Sequence, residues 1–272
     1  MNNKLGLAAI ASLLLSQGAM AACSDVSSSD LLGAVPASSV VTGGYGLPMW
    51  ITFVDETGKV CAVVTNGTTG AAAGNSEWLG SRIISAQKAN TANDFSIDGY
   101  AISTANLYSA VQPGGSLYGL QHSNPVDPEA AYHGDPVNYG TNSDPIIGKR
   151  IGGVNVFGGG LALYKAGKKI GAIGVSGDTS CRDHAFAWQV RNNLGLHPAS
   201  PTAGITTSNI DAFGKVQKPL SGAIYGDELI INASSEKEAG YWAAWSQPAC
   251  PGSLGHTASQ NAANGTIILN KK

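Results

Sequence analysis

Of the five histidines in this 272-residue chain, His184 has the most useful neighbours. If residues 181–194 are helical, Trp188 at i+4 and Arg191 at i+7 share its face. An imidazole can ligate a metal, an indole offers a flat apolar surface, and a guanidinium can hold a carboxylate. Such a face suits the edge of a planar, metal-bearing, acidic ligand. A surface histidine covered by a tryptophan is the plainer reading of the same residues. His122 and His133 are further candidate metal ligands. Each sits in a turn-rich stretch that could fold over a ligand as a lid, or simply be a solvated loop. His197 and His256 have no such context. Lys88 and Arg82 are candidate anion holders. Six apart on one helix, they point to opposed faces and cannot serve one site together. Either could instead be an exposed charge or half of an ion pair.

Other chemistries find less support. Ser176 in Gly174 to Gly177 (GVSG) has its second glycine one residue too early for a nucleophile elbow. The glycines of 171–177 are not followed by Gly-Lys-Ser/Thr, so they do not make a phosphate loop. No zinc-ligand spacing occurs. No catalytic residue is assigned.

These residues need a frame. Met49 to Val54 (MWITFV) and Lys59 to Thr65 (KVCAVVT), around Asp55 to Gly58, predict an antiparallel hairpin. Ser76 reads as the N-cap of a helix running from Glu77 to about Phe95, with Leu79, Ile83 and Ala86 on its buried face. Residues 111–160 are rich in Pro, Gly and Asn. The apolar anchors Leu117, Tyr118, Leu120, Tyr132 and Tyr139 predict that this insertion is ordered against the domain. Phe157 to Tyr164 and Lys169 to Ser176 form a second strand pair. A helix then runs from about Cys181 to Leu194, with Ser180 and Asp183 as a capping box and Gly195 as its stop. Phe186, Val190 and Leu194 form its core-facing stripe.

Composition bounds the class. Gly supplies 36 residues, charged residues are 12%, net charge is -2 and mean hydropathy is near zero. There is no basic block of the kind nucleic-acid binding requires. Lys4, the apolar run Leu5 to Leu15 and Ala19-Met20-Ala21 predict an export signal over residues 1–21. The run is too short to span a bilayer. Cys23, Cys61, Cys181 and Cys250 are then an even set in an exported chain, which predicts two disulfides. The pairing Cys23–Cys61 and Cys181–Cys250 is favoured among three. No c-type haem spacing is present. The expected organisation is a single α/β domain over 22–196 carrying the 111–160 insertion, with 197–272 wrapping it.

Three blocks carry a resemblance. They are Ile51 to Val60 (ITFVDETGKV); Ser85 to Ala92 (SAQKANTA) with Phe95 and Ser96; and Gly152 to Val154 with Gly171 to Gly177 (GAIGVSG) and Asp183. Over roughly 40–195 the chain resembles the GlcG/HbpS-type haem-binding (haem-degrading) family. The resemblance implies a profilin-like α/β fold, an antiparallel sheet of about five strands with helices on both faces. It also implies noncovalent b-type haem as cofactor and a homo-oligomer. Two departures stand out: the long insertion and tail, and the lack of any His in 22–50, where some relatives place a haem ligand. Haem iron would then fall to His184, His122 or His133, with Trp188, Arg191, Lys88 and Arg82 around the ring and its propionates. The expected function is haem carriage, buffering or sensing in the cell envelope, periplasmic or secreted, with a possible envelope protein partner and no membrane span. A corrinoid would suit the same slot. A cofactor-free accessory subunit, or an enzyme acting on a small organic acid, are the alternatives.

Overall fold

Asp55 turns the first hairpin. In the computed structural model its carboxylate accepts from the Thr57 N–H, the Thr57 hydroxyl and the Lys59 N–H at 2.7–3.1 Å. That fixes the loop between β1 (Trp50–Asp55) and β2 (Val60–Thr65), with Trp50 opposite Thr65 and Phe53 opposite Ala62. The structure describes residues 23–37, 41, 43–67, 69–70, 78, 80–199, 203–207, 209–210, 216–232, 240–253 and 256–269. The export-signal reading, and the Ser76 and Leu79 assignments, lie outside them.

The further elements follow in chain order. The helices are α1 (Ser28–Gly33), α2 (Ser81–Phe95), α3 (Leu120–Ser123), α4 (Pro128–Ala131), α5 (Ser180–Leu194) and α6 (Ala258–Ala263). The strands are β3 (Tyr100–Ala101), β4 (Gly160–Lys165), β5 (Lys168–Ser176), β6 (Ala203–Gly204), β7 (Asn209–Ile210), β8 (Val216–Gln217), β9 (Leu229–Asn232) and β10 (Thr266–Leu269). The central sheet runs β2-β1-β5-β4 and is antiparallel throughout.

The expected α/β fold is present, with four strands where about five were expected. The reason lies at the β4 edge. Tyr164 N–H donates to Leu196 O and Gly160 N–H to Thr104 Oγ1. The chain after α5 and a 3-10 turn at Thr104–Leu107 therefore occupy the edge a fifth strand would take. β3 pairs instead with β6, and β9 with β10, as small parallel ribbons.

Alternation sorts the strands onto two faces. Ile51, Phe53, Val64, Leu161, Ile173 and Val175 pack with Phe186, Trp188 and Val190 of α5. Trp50, Val54, Val63 and Ala172 pack with Ile83, Ala86 and Ala89 of α2, and with Ala131, Ile146 and Ile151 of the insertion. A Cβ at Gly174 would fall 1.9 Å from Ser85 O, so glycine lets α2 lie directly on β5. The insertion is ordered, but Tyr118 and Tyr132 are 63% and 61% exposed. Ala131, Ile146, Ile151 and Val156 anchor it, because its tight turns bury small and branched residues.

Gly80 is the N-cap of α2, and the cap of α5 differs from expectation. Thr179, not Ser180, caps α5, its hydroxyl accepting from Arg182 N–H. That frees Asp183 for another task. Gly195 closes α5 in the left-handed region, as expected. Both predicted disulfides, Cys23–Cys61 and Cys181–Cys250, are formed.

Candidate functional site

β5 delivers its last residue, Ser176, to the start of α5 through the Gly177-Asp178 turn. Asp178 organises the turn. Its carboxylate accepts from the N–H groups of Tyr45 (2.9 Å), Leu47 (2.9 Å) and Thr179 (2.6 Å). The chain entering β1 is thereby tied beside the helix N-terminus. On the opposite side Gln247 joins three elements. It accepts from Gly158 N–H (2.9 Å), donates to Ser180 Oγ (3.0 Å), and its own N–H donates to Ile230 O (3.0 Å). The Cys181–Cys250 disulfide pins the following residues to α5.

Between these ties lies a groove of about 490 Å³. Tyr45, Trp78, Ile84, Tyr108, Phe157, Pro248 and Pro251 give it apolar and aromatic walls. Ser176, Ser180 and Asp183 supply polar groups at its base. Cofactor sites are typically concave and mostly apolar, with a few placed polar groups, and fall in this size range. A second concavity of about 670 Å³ adjoins it, sharing Tyr108, Gln247 and Pro248.

Beneath the groove lies a buried ion pair. Lys88 Nζ donates to Asp183 Oδ2 at 2.7 Å and to Val175 O at 3.0 Å, and sits 4.9 Å from the Phe157 ring centre. Asp183 Oδ1 accepts from Asp178 N–H at 3.0 Å. Burial dominates and drives both partners toward their neutral forms. The Lys88 ammonium is pushed down, and Asp183 is pushed up to about 6 even though Lys88 pulls it back.

The predicted site residues do not converge. His184 is fully buried on the far side of α5, its ring stacked on Trp188 at 6.1 Å. Its polar contact is with the Gly265 backbone. Burial, then the Arg191 charge, pushes its pKa down to about 3. Arg191 is paired with Asp227, one of its two contacts at 2.9 Å, and lies over both the Trp188 and Tyr225 rings. Gly265 lies hard against the Trp188 ring, so close that a Cβ there would fall 2.2 Å from it. Tyr225, Asp227 and Gly265 thus cover the Trp188–Arg191 part of this face. Arg82 is buried against Asp144, donates to Ala131 O, and lies 3.7 Å over Tyr139. Lys88 and Arg82 do face different partners, as their spacing requires. His122 and His133 are exposed on the insertion and do not line the groove.

Sequence reading missed Asp183 as a groove residue, together with Tyr45, Trp78, Tyr108, Phe157 and the 247–251 wall. Asp183 had a signal: it sits in the third block beside the strand-to-helix turn. The wall had none, because it is brought in from about seventy residues downstream.

The model of the family described as "Haem degrading protein HbpS-like" matches residues 36–191. An uncharacterised 15.0 kDa protein of the dhaT-dhaS intergenic region of Citrobacter freundii is 38% identical over 84 residues. That match covers 31% of this chain, and the chain spans 41% of the length of that curated relative. Among solved structures, Klebsiella pneumoniae protein ORFY is similar at a TM-score of 0.40 and 23% identity, covering 72% of this chain and 97% of that one. A PduOC–haem complex is similar at 0.37 and 23% identity, covering 55% and 80%. A double mutant of Streptomyces reticuli HbpS is similar at 0.38 and 14% identity, covering 70% and 97%.

Proposed function

The chain belongs to the HbpS-like family of haem-degrading proteins, and from that premise we propose that it binds haem in the groove at the start of α5. The observation that carries the proposal is the 490 Å³ apolar groove, with aromatic walls and a polar base. Its lining fits a planar macrocycle: Trp78, Tyr108 and Phe157 offer ring surfaces, and Ile84, Pro248 and Pro251 exclude water. Both disulfides are closed and no cysteine is free, so no thioether could form. The bound group would be b-type and noncovalent. Tyr45 and Tyr108 are the lining side chains with iron-ligating chemistry, since phenolate serves as an axial ligand in some haem proteins. The Ser176 and Ser180 hydroxyls suit the acidic edge of the ligand. Haem bound there would supply redox and small-ligand chemistry at its iron.

The small-acid alternative loses its anion holders, because Lys88 and Arg82 are each neutralised by a carboxylate. The export signal expected from the sequence and the two disulfides support a location outside the cytoplasm. There the protein would carry, buffer or sense haem, as a homo-oligomer and with an envelope partner. The test is hemin titration followed by the Soret band. We expect saturation at one haem per chain, and a loss of affinity of about tenfold or more when Ala249→Trp fills the groove. His184→Ala should leave the spectrum unchanged. A Soret shift in His184→Ala with none in Ala249→Trp would move the site away from the groove.

A further inference from the structure

The two disulfides sit in opposite electrostatic surroundings. At Cys23–Cys61 the nearest polar groups are acceptors. The Asp55 carboxylate, itself 3.7 Å from the partly exposed Lys59 ammonium, lies 3.9 Å from Cys23 Sγ, and Lys59 O lies 3.4 Å from Cys61 Sγ. At Cys181–Cys250 they are donors. The Cys181 N–H, at the first turn of the 15-residue α5, points at Cys250 Sγ from 3.2 Å. Ser180 Oγ lies 3.5 Å from the same sulfur, and Gln247 Nε2 lies 3.7 Å from it and 3.3 Å from Cys181 Sγ. Three donors, one of them a helix N-terminal amide, thus converge on Cys250, which lines the groove, while its partner Cys181 is buried. Donors stabilise a thiolate, and a carboxylate opposes one.

We propose that Cys181–Cys250 is a redox-active disulfide that exchanges with a dithiol reductant at Cys250, and that Cys23–Cys61 is purely structural. The reductant's thiolate attacks the accessible Cys250 Sγ. The Cys181–Cys250 bond breaks, a mixed disulfide forms on Cys250, and the electron pair leaves on Cys181 Sγ, which takes up a proton. The reductant's second thiol gives its proton to solvent and attacks its own partner sulfur, expelling Cys250 as a thiolate. Two electrons pass to the protein and the reductant ends as a disulfide. A sulfur whose thiolate is stabilised leaves faster: in the first step the departing Cys181 thiolate is met by Gln247 Nε2, 3.3 Å from Cys181 Sγ, and in the second the departing Cys250 thiolate is met by the Cys181 N–H and Ser180 Oγ. The charged groups around Cys250 do not reverse this. On α5 and its entry turn, Arg182 faces Asp178, and Lys88 of α2 neutralises Asp183. The exchange removes the covalent latch between the 247–251 wall and α5, leaving hydrogen bonds from Gln247 to Ser180 and from the Cys181 N–H to Cys250.

Exposure alone makes the opposite prediction, since Cys23 and Cys61 are both half-buried while Cys181 is closed off. The test is therefore timed reduction of the folded, oxidised protein with dithiothreitol, followed by acid quench, alkylation and mass mapping. We expect Cys181–Cys250 to open at least about tenfold faster, with the trapped mixed disulfide on Cys250. Equal rates, faster opening of Cys23–Cys61, or trapping on Cys181 would overturn the proposal. In Cys181→Ser, the Cys250 thiol should titrate, by its alkylation rate against pH, below the ordinary value of about 8.5. A value at or above that would also overturn it. The wild-type kinetics decide the matter alone if the variant does not fold.

Discussion

Asp183 and His184 are neighbours in sequence, yet they serve opposite regions of the molecule. Asp183 looks toward the groove and Lys88; His184 looks into the face sealed by Tyr225, Asp227 and Gly265. Each region is anchored by one buried ion pair on α5, Lys88–Asp183 at one end and Arg191–Asp227 at the other. The groove pair has a carboxylate lining a cavity; the sealed pair is closed on both sides. The contrast teaches that a buried charge pair is not in itself a functional sign. Its access to a cavity separates a residue able to exchange a proton with a ligand from one that only holds the fold.

The largest expected effect tests the sealed pair. Arg191→Met leaves Asp227 buried without its partner and should cost about 3–5 kcal/mol of stability in chemical denaturation. Lys88→Met should cost less, about 1–3 kcal/mol, because Asp183 can take a proton beside the groove. Equal losses would erase the distinction between the two pairs.

The two acid-side slopes come next, and they have opposite signs. His184 has a folded pKa depressed from 6.5 to about 3. Its contribution is complete above 6.5 and is lost as pH falls toward 3, because the unfolded chain takes up a proton the fold cannot. Asp183 has a folded pKa raised from 3.8 to about 6. Its ionisation opposes folding, so stability from this group falls as pH rises from 3.8 through 6. The slopes offset one another in the wild type. Removing His184 by His184→Leu should unmask stability that rises as the pH falls from 6 to 4. The smallest expected effect is that of Asp183→Asn, which should leave a steeper loss in the same window. Denaturation midpoints against pH read both, and identical profiles for the two variants would show that neither group is buried as described.

Much of the frame was legible locally. The β-branched runs around Asp55–Gly58 could only be a hairpin. The turn before α5 and its Gly195 stop followed from cap chemistry. Thr179 was harder to see, since Thr179 and Ser180 offer the same hydroxyl one residue apart, and which one caps depends on where β5 releases the chain. The fifth strand failed for a non-local reason: Leu196 and Thr104 took the hydrogen bonds of the β4 edge. The His184–Trp188–Arg191 stripe was read correctly as one face. Its destination was not visible, because Asp227 and Gly265 lie 36 and 77 residues beyond Arg191 and Trp188.

By itself, then, the sequence determined the periodicities, the turns, the family blocks and an even set of cysteines able to pair. These depend on neighbours within a few residues, where backbone geometry leaves few choices. Only the tertiary structure decided which face of α5 is sealed and which opens on a groove. That choice depends on where a distant tail packs. The tail buries an aromatic and charged stripe under Gly265 and Asp227, and holds the groove wall open against Ser180 through Gln247 and Cys250.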